Sequence, residues 1–198
     1  MPSRILLATS NSGKLREYGE LADRSAFEIG LLADFHKLPE FEETAPTFAE
    51  NSAGKALHYS RFTDEIVLAD DSGLVVPELG GVPGVHSARY AGPNATSADR
   101  VAKLLRELRG QTGDERRAHF VCVISIARGG RALAVVSDRA EGFIAAEPRG
   151  TNGFGYDPVF CFPDRRRTYA EATAEEKNLA SHRGRAFRRL IDLLSSKN

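Results

Sequence analysis

The stretch Ile66-Val67-Leu68-Ala69-Asp70-Asp71-Ser72-Gly73 runs from an apolar segment straight into two adjacent carboxylates and a Ser-Gly pair. Its apolar half has the length and composition of a short buried strand. Asp70 and Asp71 are then delivered at the C-terminal end of that strand, the edge where open α/β sheets hold their ligands. Paired carboxylates at such an edge suit a divalent cation, since Mg²⁺ takes one or two carboxylates and fills its other positions with water and substrate phosphates. Asp, Ser and Gly are equally common turn formers, so a polar turn after the strand is the competing interpretation.

Outward from this stretch the chain alternates strand and helix. Arg4-Ile5-Leu6-Leu7-Ala8 reads as a buried strand, followed by a polar turn and a helix from about Lys14 to Leu21. A second strand falls near Phe27–Leu32, and residues 34–46 read as a loop with Pro39, Pro46 and the acidic Glu40-Phe41-Glu42-Glu43. Thr47-Phe48-Ala49-Glu50 is a capping box, Thr47 at N-cap and Glu50 at N3, opening a helix to about Arg61. Leu74-Val75-Val76 extends or re-enters the sheet, and residues 79–95, rich in Gly and Pro, read as a long surface loop. Thr96 or Ser97 then caps a helix whose Val101, Leu104, Leu105 and Leu108 form an apolar stripe ending at Gly110. His119–Ile126 and Ala132–Val136 flank a hairpin turn at Arg128-Gly129-Gly130-Arg131, with a further strand at Glu141–Ala145. A Gly-rich loop at Arg149–Pro158, a short strand at Val159–Phe162 and a second capping box at Thr173-Ala174-Glu175-Glu176 lead into a helical C-terminus. Strands mixed with helices and a hairpin imply an α/β fold, a mixed sheet flanked by helices, in one domain over residues 1–198.

A hydrophobic fraction of 41% with 27% charged residues is ordinary for a soluble globular protein. Lys+Arg and Asp+Glu both number 27, and a net charge of zero argues against a nucleic acid polymer as the ligand. A small anion needs only a local basic cluster. No apolar run reaches the length of a membrane span, and Met1-Pro2-Ser3-Arg4-Ile5 lacks the apolar stretch of a signal peptide, so a cytoplasmic location is expected. Cys122 and Cys161 are too few and too isolated for a disulfide framework or a zinc site.

Thr9-Ser10-Asn11-Ser12-Gly13-Lys14 joins the first strand to the first helix, where backbone N–H groups at a helix N-terminus form an anion site and Lys14 adds a full charge. It is not a Walker A loop: Ala8 takes the first glycine position, and Leu15 follows the lysine where Ser or Thr would ligate Mg²⁺. Any metal must come from elsewhere, and the Asp pair at a neighbouring strand end would recruit it. Capping of the helix by Ser10 or Asn11 explains the polar residues but not a cation in the first turn, against the helix dipole. Phe48, Asn51 or Ser52, and Lys55 share a helix face by their spacing, with Lys55 facing either a cleft or water. Glu43 is either a metal ligand or part of an acidic loop. Gly153-Phe154-Gly155-Tyr156-Asp157-Pro158 sets aromatics between glycines, either to approach a planar ligand or to plug the core under a turn. Lys177 and Ser181-His182-Arg183-Gly184 place a lysine, a histidine and an arginine within two helical turns, and Arg offers a planar fork for a carbonyl or phosphate oxygen. Arg165-Arg166-Arg167, Arg185, Arg188 and Arg189 read as solvated surface.

Taken in order, Ala8 to Lys14, Glu42-Glu43-Thr44, Thr47 to Asn51 with Lys55, and Ala69-Asp70-Asp71-Ser72-Gly73-Leu74 resemble the inosine triphosphate pyrophosphatase family. Gly80-Gly81-Val82-Pro83-Gly84, Ser87-Ala88-Arg89-Tyr90, Gly153 to Pro158, and Glu176-Lys177 with Ser181 to Gly184 continue the match over nearly the whole chain. The visible departures, Thr151 and Asn152 before Gly153 and Ser10 where Gly is frequent, touch no catalytic position. The resemblance implies an elongated fold of two lobes with a central substrate cleft, usually a homodimer, and cleavage of purine nucleoside triphosphates such as ITP, dITP and XTP between the α- and β-phosphates. It implies Mg²⁺ at Glu43 and Asp71, with Asp71 as proton acceptor and Asp70 in support. Thr9, Ser10, Asn11, Ser12, Gly13, Lys14, Lys55 and Ser72 match triphosphate or substrate contacts. Phe154, Gly155, Tyr156, Asp157, Lys177, His182 and Arg183 match nucleotide-binding positions.

With these roles, Lys14 and Lys55 stabilise charge on the leaving pyrophosphate. Phe154 is expected to stack on the purine while donors around His182-Arg183 engage its 6-oxo group. Two other functions compete. An aspartyl-phosphate hydrolase wants Asp-x-Asp, but Ser72 stands where its second Asp belongs. A nucleotide-binding regulator without turnover could dispense with Asp71 or the metal pair, yet both are present.

Overall fold

The computed structural model describes residues 4–23 and 27–196, so the amino-terminal stretch read for a signal peptide lies partly outside it. Six strands form one mixed sheet in the order β2-β1-β3-β4-β5-β6. β1 (Arg4–Leu7), β2 (Glu28–Leu31) and β3 (Ile66–Val75) run parallel, in the registers Leu7↔Leu31 and Leu7↔Leu68. β4 (Arg117–Arg128) and β5 (Arg131–Ile144) are joined through Gly129-Gly130, both at positive φ as a tight hairpin turn requires. β6 (Phe160–Cys161) adds antiparallel to β5. Helices α1 (Ser12–Ala22), α2 (Phe48–Tyr59), α3 (Ser97–Glu107), α4 (Ala174–Ala180) and α5 (His182–Ser195) complete the fold. None of the described helices is long and apolar enough to cross a membrane.

The chain divides into two compact units: Met1–Asp71, Cys122–Asp138 and Arg183–Asn198 in the first, Ser72–Val121 and Arg139–His182 in the second. In the first unit, strand alternation sorts the apolar residues onto two faces. Ile5, Leu7, Leu68, Ile124 and Ile126 pack with Tyr18 and Leu21 of α1 and with Ala186, Phe187 and Leu190 of α5. Leu6, Ala8, Val67, Ala69 and Ala127 pack with Ala56 and Tyr59 of α2. The second unit has its own core, in which Leu74, Val76, Leu104, Leu108, Phe120, Val159, Phe160 and Tyr169 are buried.

Four expectations are corrected. Asp70-Asp71-Ser72-Gly73 is neither a strand end nor a turn: β3 runs through it, continuing to the buried Leu74. It is β1 that stops, at Leu7 opposite Leu68, and the two carboxylates lie just past that end. Residues 79–95 are not a plain surface loop. They include a 3₁₀ turn over Gly84–Arg89 whose buried Ser87 accepts a hydrogen bond from Leu74 N–H (2.9 Å). The strand expected at Glu141–Ala145 is the second half of the long β5. The C-terminal helix is two helices, because Ser181 adopts an extended backbone between α4 and α5.

Candidate active site

The strand order β2-β1-β3 reverses direction at β1, since the connection through α1 leads to one side of it and β3 lies on the other. Such a reversal opens a crevice at the carboxyl ends of the two central strands. The segment after β1 and Asp70-Asp71 of β3 flank it. Being neighbours on a strand, Asp70 and Asp71 point to opposite faces of the sheet, which explains why their surroundings differ.

Asp70 continues the face of Leu68, toward α1 and α5. Its buried carboxylate meets Lys14 Nζ at 2.7 Å and Arg183 Nε and Nη2 at 3.1 Å each. Lys14 Nζ also donates to the Asp70 carbonyl at 3.1 Å. Arg183, only 2% exposed, uses Nη1 on Glu17, which is buried on α1. Burial alone would push the Asp70 carboxyl up, but Lys14 and then Arg183 overcome it and hold it well below the usual carboxylate range. Cys122 Sγ contacts the same carboxylate at 3.7 Å, and burial keeps this thiol protonated.

Asp71 continues the face of Ala69, toward α2. Asn51 Nδ2 donates to its Oδ2 at 3.1 Å. Burial first, and Glu43 second, push the Asp71 carboxyl up from 3.8 to about 6. Glu43 itself is ion-paired with Lys55 of α2. Thr47 caps this helix, its hydroxyl accepting from Glu50 N–H at 3.2 Å and donating to the Glu50 carboxylate at 2.6 Å. Two mutually repelling carboxylates offering only hard oxygen donors fit Mg²⁺.

The segment after β1 is organised from within. Asn11 is the N-cap of α1, its Oδ1 accepting from Gly13 N–H (2.9 Å) and Lys14 N–H (3.1 Å). Thr9 Oγ1 accepts from Asn11 N–H at 3.2 Å. The expected anion site therefore has two of its backbone donors already capped, and what it presents outward is the exposed Ser10, Asn11 and Ser12.

In the second unit, Asp157 organises the Gly-rich loop. It pairs with the buried Lys177 and accepts from Phe154 N–H at 2.8 Å. Gly153 lies at φ +75°, and a Cβ there would sit 2.0 Å from Asp157 Oδ2, so this position admits only glycine. Lys177 Nζ is 5.0 Å from the centre of the Phe154 ring, which stays partly exposed, as do Gly155 and Ser72. His182 is buried and stacks on Phe120, with ring centres 4.6 Å apart and planes at 11°.

Two of the expected nucleotide-binding residues are buried and partnered. The Tyr156 hydroxyl donates to the Ser87 carbonyl at 2.9 Å. The Arg183 guanidinium is held by Asp70 and Glu17. The break at Ser181 puts Lys177 and Arg183 on different helices and sends them to different partners. Sequence reasoning passed over Glu17 and Asn51 as site residues. Glu17 carried a signal, being an acid beside Tyr18 and Leu21 on the apolar side of α1.

Relatives match this chain over nearly its full length. The Ham1 family profile matches residues 5–193. The chain is 50% identical to the dITP/XTP pyrophosphatase of Geobacillus kaustophilus over 186 residues, covering 94% of this chain and 91% of that one. It is 46% identical to the dITP/XTP pyrophosphatase of Bacillus licheniformis over 190 residues, 96% of this chain and 97% of that one. Among solved structures, a HAM1 protein from Coxiella burnetii superposes with a TM-score of 0.86 at 43% identity, over 98% of this chain and 99% of that one. With the profile and these relatives in accord, the chain belongs to the Ham1 family.

Proposed function

We propose that this chain is a hydrolase that converts non-standard purine nucleoside triphosphates, ITP, dITP and XTP, to the monophosphate and pyrophosphate with Mg²⁺. The observation that carries the reading is the placement of Asp71: a buried carboxylate just past the end of β1, at the sheet crevice, with Glu43 near enough to raise its proton affinity. The names of the Geobacillus and Bacillus relatives support the substrate class.

Glu43 and Asp71 would hold the cation, one or more per subunit. When bound, Mg²⁺ supplies charge neutralisation on the phosphate oxygens. Asp71 orients a water toward the α-phosphorus and takes its proton as the new P–O bond forms. The bridging bond to the β-phosphate breaks, and pyrophosphate leaves with the electron pair. Lys14 uses two of its three N–H donors on Asp70, which leaves one for a phosphate oxygen, and Lys55 supplies a second ammonium. Asp70 keeps Lys14 in place and Arg183 keeps Asp70 ionised, so Arg183 serves the phosphate end and not the base. Base recognition falls to Phe154 by stacking and to Lys177 and His182 as donors to a 6-oxo acceptor. Adenine carries a donor at that position, and a site built for an acceptor rejects such an analogue by roughly 10⁴-fold. The enzyme works in the cytoplasm as a homodimer, on free nucleotides rather than a nucleic acid polymer, and removes them from the nucleotide pool.

A substrate panel tests the reading directly. ITP, dITP, XTP, ATP and GTP are incubated with and without Mg²⁺, and pyrophosphate and monophosphate are quantified. Turnover of the first three that EDTA stops is expected. No product from any of them overturns the assignment, and release of inorganic phosphate with a diphosphate overturns the bond cleaved.

A further inference from the structure

The loop that carries Glu43 is laid along α2 at regular intervals. His58 Nε2 contacts the Pro39 carbonyl at 2.8 Å, and Phe41 N–H donates to the Tyr59 hydroxyl at 3.3 Å. One turn back, the Phe41 ring covers Gly54, where a Cβ would lie 2.5 Å from Cζ, and Lys55 holds Glu43. At the start of the helix Asn51 takes Ala45 from both sides: Oδ1 accepts from its N–H at 3.0 Å, and Nδ2 donates to its carbonyl at 3.2 Å. The second N–H of the same carboxamide is the donor to Asp71 Oδ2. Asn51 is 1% exposed, and both its donors are committed.

We propose that Asn51 is a positioning residue of the reaction. Its carboxamide ties the loop bearing Glu43 to β3 at Asp71, so the two ligand carboxylates are set before the cation arrives. The proposal rests on the reading of Glu43 and Asp71 as Mg²⁺ ligands. No other side chain reproduces the three bonds: Asp would turn an acceptor toward Asp71 and the Ala45 carbonyl, and Gln is one methylene too long. Residues that orient metal ligands typically govern about 10- to 100-fold in metal affinity or activity.

The test compares the wild type with Asn51→Leu, which keeps the branched shape without any polar atom, and Asn51→Ser, which offers a hydroxyl but lacks the reach. Ser52→Ala serves as control, since Ser52 is equally buried on α2 but bonds the Ala69 carbonyl and Ser125 instead. Three quantities are read: kcat and KM for ITP, the Mg²⁺ concentration for half-maximal rate, and the rise in Tm that Mg²⁺ produces without nucleotide. Both Asn51 variants are expected to raise half-saturation by about tenfold, shrink the Mg²⁺-induced rise in Tm and lower kcat, with KM for ITP within about twofold. Ser52→Ala is expected to lower Tm alone. The Tm increment stays readable in a destabilised variant because each protein is its own reference. Asn51 variants with wild-type half-saturation and a wild-type Mg²⁺ increment overturn the proposal. A wild type that shows no Mg²⁺ increment and turns over in EDTA overturns the metal reading instead.

Discussion

Lys14 Nζ sits 2.7 Å from Asp70 Oδ1 and 3.1 Å from the carbonyl of the same residue, so one ammonium grips both the side chain and the backbone of β3. With the buried Arg183 and Glu17 it closes a quartet of two cations and two anions, of which only Lys14 is partly exposed. Removing one member of a buried ion pair leaves its partner desolvated and uncompensated. Lys14→Met is therefore expected to lower folding stability by about 2–4 kcal/mol, as measured by urea unfolding, besides lowering turnover. A variant that loses activity with unchanged stability would show that Lys14 serves the phosphate and not the quartet.

Asp71 predicts a pH dependence of opposite sign to that of Asp70. Its folded carboxyl is raised to about 6 by burial and by Glu43, against 3.8 when unfolded. Below about pH 4 both states hold the proton. Between 4 and 6 the unfolded chain has released it while the folded one has not, so metal-free protein loses stability as pH rises, and the loss is complete above 6. Asp71→Asn should leave Tm at pH 4 unchanged. Above pH 6 in EDTA it should stabilise the protein by roughly 2–3 kcal/mol while abolishing turnover. Asp70, held ionised, contributes stability that is lost only as the pH falls below the usual carboxylate range. Differential scanning across pH 4–8 separates the two.

Gly153 tests the base-binding loop. Alanine there would drive its Cβ into the Asp157 carboxylate and occupy a left-handed backbone. Gly153→Ala should raise KM for ITP at least about tenfold by disturbing the contact of Asp157 with Phe154 N–H and Lys177. Steady-state kinetics read this, and an unchanged KM would remove the loop from substrate binding.

Tyr156 tests the boundary between site and core. Tyr156→Phe should cost about 1 kcal/mol through the lost bond to the Ser87 carbonyl and leave KM within twofold. A large change in KM with unaltered stability would return Tyr156 to the binding site.

Local rules carried most of the fold. The cap at Thr96, the capping box at Thr173, the Gly129-Gly130 turn and the short apolar runs of β1 and β3 each report on their own neighbourhood. What escaped depends on distant partners. Nothing local says that β3 continues past Asp71, because the relevant event is that β1 ends at Leu7. Nothing around Ser181, which has neither Gly nor Pro beside it until Gly184, marks the break that parts Lys177 from Arg183. The paired Asp residues, Lys14, Glu43 and Lys55 were legible as chemistry. That Asp70 and Asp71 face different helices follows only once the segment is known to be a strand and not a turn.

The continuity of β3 also sets what the gene can tolerate. Side chains on a strand alternate with a period of two, so inserting or deleting a single codon between Ile66 and Ala69 would exchange the faces of the two aspartates. A deletion would bring Asp71 to the place that meets Lys14 and Arg183, and an insertion would bring Asp70 to the place that meets Asn51. Composition, charge and every neighbouring residue type would be nearly unchanged, yet both carboxylates would stand in the wrong environment. Substitutions along this strand can be graded, but changes in its length cannot.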